Sequence, residues 1–169
     1  MKKVVSIILV CLLIPAVFVG CGAQTVAQDQ GSQMVAMGNP WSDWDSMEEA
    51  EEAVGFSFEL PEVIGDRYTA VAFRTMNNEL IEIIYRDAEH EIRVRKQKGE
   101  GLDISGDYTQ YDICTEENIN GAAITHYHTS DSNAVKQLIS YGGYSWSIVA
   151  YDGYQGDSDL ALVRQILEQ

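Results

Sequence analysis

The stretch ELIEIIYRDAEHEIRVRK, residues 79–96, decides the fold. It contains two segments that alternate apolar and charged residues, separated by a short polar connection, which is typical of an antiparallel β-hairpin. Pairing Asp87 with His90 sets apolar side chains opposite one another on one side and opposite charges on the other. The predicted cross-strand pairs are Tyr85–Ile92, Ile83–Val94, Arg86–Glu91 and Glu82–Arg95.

This hairpin also concentrates positive charge in a chain that has only 11 Lys and Arg residues. The predicted register gives Arg86 and Arg95 acidic partners. It gives none to Arg93, Lys96 and Lys98. We interpret these three residues as part of a solvated strand face, and as the candidate binding residues if the face instead docks an anion or a partner.

The same pattern of β-branched and aromatic residues continues along the chain. Seven strands are predicted, near residues 68–75, 79–87, 90–97, 112–119, 122–129, 134–141 and 144–151. Asn77-Asn78, Asn120-Gly121 and Gly142-Gly143 are suited to the positive backbone angles of tight turns. The last turn predicts the pairs Tyr141–Tyr144, Ile139–Trp146 and Val135–Ala150. The first, as a two-residue turn, predicts that Ile84 meets Val71. This implies either that both faces of the sheet are partly covered or that the sheet is curved so that a helix lies against it.

A helix is predicted at each end of this sheet. In SMEEAEEAVGF, residues 46–56, Ser46 and Glu49 fit a capping box and Gly55 a stop signal. Its glutamates are interpreted as a solvated face, since the oxygen spacing of a calcium loop is absent. In DSDLALVRQILEQ, Asp157 is a candidate cap before an amphipathic run. The predicted fold class is α+β, with an antiparallel meander of about six or seven strands flanked by an N-terminal and a C-terminal helix.

The amino terminus has the order of a bacterial lipoprotein signal. Lys2 and Lys3 precede an apolar run that ends in Phe-Val-Gly-Cys, which resembles a lipobox with Cys21 as the acylated residue. Residues 1–20 are therefore predicted to be the signal peptide, residues 21–39 the lipidated cysteine and a flexible tether, and residues 40–169 a single domain. The predicted location is extracytoplasmic, on the cell membrane through fatty-acyl chains such as palmitate.

Charge and cysteine content limit the partners. Removing residues 1–20 leaves 9 basic and 26 acidic residues, so the mature chain carries 9 − 26 = −17. Such a charge opposes nucleic-acid binding, which depends on neutralising phosphates. Cys114 would be the only thiol left in the domain; no disulfide is predicted, and Cys114 is expected to be buried.

Several segments together resemble a domain-of-unknown-function family of bacterial lipoproteins and secreted proteins, mostly Gram-positive. They are NPW at 39–41, SMEEAEEAVGF at 46–56, LP at 60–61, ELIEIIYRDAEHEIRVRK at 79–96, DISGDY at 103–108 and GGYSWSI at 142–148. The resemblance implies an extracytoplasmic α+β domain without an assigned activity. An antiparallel sheet with helices is also similar to the half-barrel of lipoprotein carriers, which is a likeness of fold and not of function.

Candidate chemistry is sparse. His126 and His128 lie two apart on a predicted strand, and Glu117 shares their face across the Asn120-Gly121 turn. Two imidazoles and a carboxylate are the minimum for a metal site. We interpret them as strand residues, assign no metal or cofactor, and keep them as candidate ligands. The glycines of GEGLDISGDY lack the order of a phosphate-binding loop, and no serine lies in a nucleophile elbow.

Aromatic residues suggest a binding surface or the rim of a core. Tyr141, Tyr144, Tyr151 and Tyr154 lie near the last hairpin, and Trp41 and Trp44 precede the first helix; a core role is favoured. The predicted function is a non-catalytic binding or interaction module for an unknown extracytoplasmic protein or ligand. Two alternatives stay open: a carrier of a lipid or other apolar ligand, and a metal-dependent enzyme using His126 and His128.

Overall fold

The structure is a computed structural model that describes residues 38–131, 134–151 and 157–168. An open antiparallel sheet of nine strands forms most of this part of the chain. The elements in chain order are β1 (Trp41–Trp44), α1 (Met47–Val54), β2 (Val63–Ile64), β3 (Tyr68–Met76), β4 (Leu80–Arg86), β5 (Glu91–Lys98), β6 (Ile113–Ile119), β7 (Ala122–His128), β8 (Ala134–Tyr141), β9 (Tyr144–Tyr151) and α2 (Asp157–Leu167). The protein is mainly sheet, so the α+β prediction describes it only roughly.

The strand order differs from the predicted meander. It runs β1-β3-β4-β5-β9-β8-β7-β6, with β2 paired to β3 outside this path. Two meanders, β3 to β5 and β6 to β9, are joined edge to edge because β5 pairs with β9 instead of β6. Hairpin turns report only on neighbouring strands, so they could not predict this junction. The prediction of six or seven strands also missed β1 and β2, which are too short to show an alternating pattern.

Two of the registers predicted from tight turns are confirmed. Glu82 pairs with Arg95 and Arg86 with Glu91 across the β4–β5 turn. Ile139 pairs with Trp146 and Val135 with Ala150 across the β8–β9 turn.

The turn at Asn77-Asn78 contains a third residue, so its predicted register was wrong by one. Asn77 and Asn78 both have positive φ angles, and Met76 pairs with Leu80. Ile84 therefore meets Ala72 and not Val71, which lies in a bulge. Ile84 is nevertheless buried on the charged side of the sheet. The expectation that both faces are covered is correct.

One face of the sheet, called here the helix side, packs against α1 and α2. Its core includes Ile83, Val94 and Ile148 from the sheet and Ala50 and Ile166 from the helices. The ends of α1 follow the sequence signals. The Ser46 hydroxyl accepts a hydrogen bond from the Glu49 N–H at 3.3 Å, and Gly55 ends the helix at a φ of 70°. The predicted capping and stop residues of α1 are confirmed.

The opposite face, called here the strap side, is covered by residues 99–112, which connect β5 to β6 without regular structure. We call this segment the strap. Side chains of the sheet hold it along its length: Ser140 and Ser145 accept from its backbone N–H groups at Gly101 and Leu102, each at 2.9 Å. Arg95 donates to the carbonyls of Ile104 and Ser105 at 3.0 and 2.6 Å. A connection this long without structure is uncommon, and here polar side chains supply its backbone hydrogen-bond partners.

Residues 1–37 lie outside the described residues, and with them the predicted signal peptide, Cys21 and nearly all of the tether. Tyr154 also lies outside them. A search of the described residues for a helix long and apolar enough to cross a membrane found none.

Candidate ligand cleft at Lys96

An open cleft of about 270 Å³ lies on the helix side, where β5 and β8 end and β9 begins. It is lined by Ser57, Glu59, Lys96, Tyr141, Gly142, Tyr144, Trp146 and Ile166. Alternation along β5 places Lys96 on the same face as the core residues Ile92 and Val94, directly opposite Trp146 on β9. The strand pattern thus aims a charged side chain into the apolar side of the sheet.

Aromatic rings surround the Lys96 ammonium. Its Nζ lies 4.3 Å from the ring centroid of Trp146, 4.4 Å from that of Tyr144 and 5.8 Å from that of Phe56. It donates one hydrogen bond, to the carbonyl of Ser57 at 2.8 Å. The residue is only 5% exposed. Ring faces attract a cation, and this attraction is strongest where water is excluded.

The electrostatics of Lys96 agree with this position. Burial lowers the pKa of its ammonium from the ordinary lysine value, because a charged group is harder to hold away from water. The carboxylates of Glu59 and Glu51 act in the opposite direction but do not offset burial.

Other cations of the sheet are arranged differently. Arg74, Arg93, Arg95 and Lys136 each have a carboxylate within 4.0 Å, on Glu82, Glu91, Glu82 and Asp103 respectively. In the part of the chain that the structure describes, Lys96 is the buried cation without a carboxylate partner. In a chain with a net charge of −15, this is not explained by a shortage of acidic residues.

The three candidate binding residues do not form one surface. Arg93 lies on the strap side and donates to Glu91 at 2.6 Å, so it has a structural partner that the cross-strand register did not reveal. Lys96 and Lys98 share the helix side. Lys98 is exposed and lines a neighbouring cleft of about 350 Å³ with Val54, Phe56, Asn78, Glu79 and Gln97. Of the three, only Lys96 lines the cleft described above.

The candidate metal ligands are brought together only in part. His126 Nε2 lies 2.6 Å from Glu117 Oε1, so the predicted shared face is confirmed for this pair. His128 lies on the same side but opposite Ile113 and Val135 at the end of the strand. Among the described residues, no group of three His, Cys, Asp or Glu side chains is placed to hold a metal ion.

The prediction that Cys114 is buried was wrong. Cys114 is exposed, because β6 is the last strand of the sheet and pairs only with β7. Nearly all of β6 is exposed for the same reason. A sequence that alternates weakly, ICTEENI, does not show that its strand lies at an edge.

Sequence reasoning found Tyr141 and Tyr144 as clustered aromatic residues and Lys96 as an unpaired cation, but did not connect them. The connection requires the β5–β9 pairing, which no local pattern shows. Ser57 and Phe56 were missed as well. They follow the stop signal at Gly55, in the short run FSFEL, which alternates apolar and polar residues but forms no strand in the structure.

Comparison with known proteins gives no relative from which a function could be transferred. No protein-family model, no curated protein sequence and no solved structure matches this chain. The resemblance to a family of bacterial lipoproteins therefore stays a prediction.

Proposed function

We propose that this protein is an extracytoplasmic lipoprotein whose folded part is a non-catalytic binding module, with the Lys96 cleft as its binding site. The observation that carries the proposal is the buried ammonium of Lys96, which is held by aromatic rings and has no carboxylate partner among the described residues. A cleft that combines aromatic and apolar side chains with a few polar and charged groups, here Lys96 and Glu59, has the composition of small-molecule sites.

The membrane tether rests on the amino-terminal sequence. A charged start, an apolar run and the Phe-Val-Gly-Cys ending support acylation at Cys21. The strongly negative charge of the chain disfavours direct attraction to an anionic membrane surface, so the acyl chains would supply the attachment.

Binding is favoured over the two alternatives by the character of the cleft. A lipid carrier requires an enclosed apolar cavity, whereas this cleft is open and contains a charge. A metal-dependent enzyme would place its chemistry at His126 and His128, which do not line this cleft.

Two measurements on the full chain, expressed in a bacterium, test the proposal. Cell fractionation is expected to find the wild-type protein in the membrane and the Cys21→Ser variant released from it; continued anchoring of the variant would contradict the tether. Native mass spectrometry of the detergent-extracted protein is expected to show a co-purified small molecule. This mass should disappear in Lys96→Met and persist in Lys98→Met, and a wild-type protein with only its own acylated mass would contradict the binding site.

A further inference from the structure

We infer that the Lys96 cleft recognises a small aromatic carboxylate. This inference rests on the proposed function and names the chemical class of its ligand. It follows from four properties of the cleft: the hydrogen-bonding capacity of the ammonium, the amount of positive charge, the nature of the walls and the volume.

The ammonium retains capacity for an anionic acceptor. A lysine Nζ has three N–H donors. One donates to the Ser57 carbonyl, and the described residues offer the others only the ring faces of Trp146, Tyr144 and Phe56. A ligand oxygen approaching from the open side of the cleft would accept a charge-assisted hydrogen bond, which is stronger than one between neutral groups.

The charge of the cleft matches a monoanion better than a phosphate. Among the described residues, Lys96 is the only Lys or Arg that lines it, and Glu59 lines it as well. A phosphate monoester carries a charge of about −1.5 to −2 at neutral pH and is usually bound by several donors or by arginine. Here it would meet one positive charge and the repulsion of Glu59 and Glu51, which are the carboxylates that act on the Lys96 ammonium. A carboxylate carries a single charge, which one ammonium neutralises.

The walls select the rest of the ligand. Tyr141 and Tyr144 are only half-buried, so each leaves ring surface in contact with water at the cleft. A flat aromatic body would cover this surface, and aromatic pairs gain about 0.5–1.5 kcal/mol beyond their buried area. The volume of about 270 Å³ lies just below the range of about 300–1,000 Å³ usual for ligand sites, which restricts the ligand to a small molecule.

Isothermal titration calorimetry on the acylated full chain in phosphatidylcholine nanodiscs tests the inference, with empty nanodiscs as the blank. The probes are 3-phenylpropionate, its uncharged amide 3-phenylpropanamide, and phenyl phosphate. We expect the carboxylate to bind at least about tenfold more tightly than the amide or the phosphate, because only it offers a matched single charge. Lys96→Met should weaken the carboxylate at least about tenfold, whereas the control Lys98→Met should change it less than about twofold.

The outcomes separate the ligand class from the proposed function. Equal binding of the amide would overturn recognition by charge but leave a binding cleft. Tighter binding of phenyl phosphate would overturn the carboxylate and assign a phosphate-bearing ligand. If no probe binds at millimolar concentration while a mass that depends on Lys96 co-purifies, the aromatic carboxylate is wrong and the binding module stands. If neither is observed, both are wrong.

Discussion

The two faces of the sheet bury positive charge in different ways. On the strap side, Arg74 and Arg95 both donate to the buried carboxylate of Glu82, and Trp41 covers the two guanidinium groups with its ring. On the helix side, Lys96 lies among rings without a carboxylate. The strap-side cations are accounted for by structure alone, because each has a fixed partner. The helix-side lysine is not, which is why we assign the binding role to it.

The largest effect should come from removing the shared partner on the strap side. Glu82 is fully buried, so Glu82→Gln would leave two arginines without their carboxylate. We expect a loss of about 3–5 kcal/mol in the free energy of unfolding, measured by urea denaturation of the full chain. The control is Glu91→Gln, which removes partners from the more exposed Arg86 and Arg93 and should cost less than about 1 kcal/mol. Similar losses in both variants would show that the Glu82 network is not a special structural element.

The strap offers a second way to examine this network. Gly106 has a φ of +61°, and an added Cβ would lie 2.4 Å from Nη1 of Arg95. Because Glu82 and two strap carbonyls hold Arg95, its guanidinium cannot easily move away. We expect Gly106→Ala to lower the free energy of unfolding by about 2–3 kcal/mol, and part of this loss comes from placing alanine in a left-handed backbone conformation.

Gly101→Ala is the matched control for Gly106→Ala. Gly101 also lies in the strap and has a φ of +74°, but nothing lies within 4 Å of its added Cβ. It should show only the backbone strain, of about 1 kcal/mol. Thermal unfolding of both variants measures the difference, and equal costs would exclude a tight contact between the strap and Arg95.

Acid should loosen the strap. Burial acts to raise the pKa of Asp107, but hydrogen bonds from Tyr151, Tyr111 and Thr109 outweigh it and hold the pKa below its ordinary value. Burial, together with the hydrogen bond that Tyr151 donates to Asp107, raises the pKa of Tyr151 to about 12. Since the folded-state pKa of Asp107 lies below the unfolded value of about 3.9, its contribution is present above about pH 4 and is lost as the pH falls through the folded value.

The Asp107→Asn variant measures this contribution. At pH 7 it should be about 1–2 kcal/mol less stable than the wild type, because the amide cannot accept all of these hydrogen bonds. The gap should shrink as the pH is lowered from 5 to 2. Tyr151→Phe, which removes one donor to Asp107, should show a smaller gap with the same trend. A gap that stays constant with pH would contradict an ionised Asp107 as the anchor of the strap.

Much of the sheet could be predicted from sequence because its signals are local. Alternation located seven strands, and the tight turns at Asp87–His90 and Gly142-Gly143 set two registers correctly. The register at Asn77-Asn78 failed because a two-residue and a three-residue turn place asparagine in the same left-handed conformation. Local signals thus predict neighbouring strands well and turn length less well.

The site could not be predicted because it depends on non-local pairing. Lys96 and Trp146 meet only because β5 pairs with β9, and the two residues are 50 positions apart in the sequence. Ser57 reaches Lys96 from the segment after α1. Cross-strand charge pairing also suggested that Arg93 is free, whereas its partner Glu91 lies two residues away on the same strand. Residue type and alternation identify candidates, but they do not show which of them share a cleft.

The smallest expected effect gives the sharpest comparison between the two faces, because both faces contain a buried lysine over aromatic rings. On the strap side, the Lys136 ammonium lies 4.6 Å from the ring centroid of Tyr127 and 3.2 Å from the carboxylate of Asp103. On the helix side, the Lys96 ammonium lies 4.3 Å from the ring centroid of Trp146 and has no carboxylate partner among the described residues. We expect Lys136→Met to lower the free energy of unfolding by about 1–2 kcal/mol, because Asp103 loses its ion pair and the strap loses an attachment to the sheet.

For Lys96→Met we expect a change below about 1 kcal/mol in the free energy of unfolding. Methionine keeps the contact with the rings. The variant loses the attraction between cation and rings, but it no longer has to bury a charge, and the two effects offset each other. Urea denaturation of both variants at pH 7 makes the measurement. A residue whose charge serves a ligand is expected to contribute little to folding. If Lys96→Met lowered the free energy of unfolding as much as Lys136→Met, Lys96 would be a structural residue, and the main argument for the cleft as a binding site would be lost.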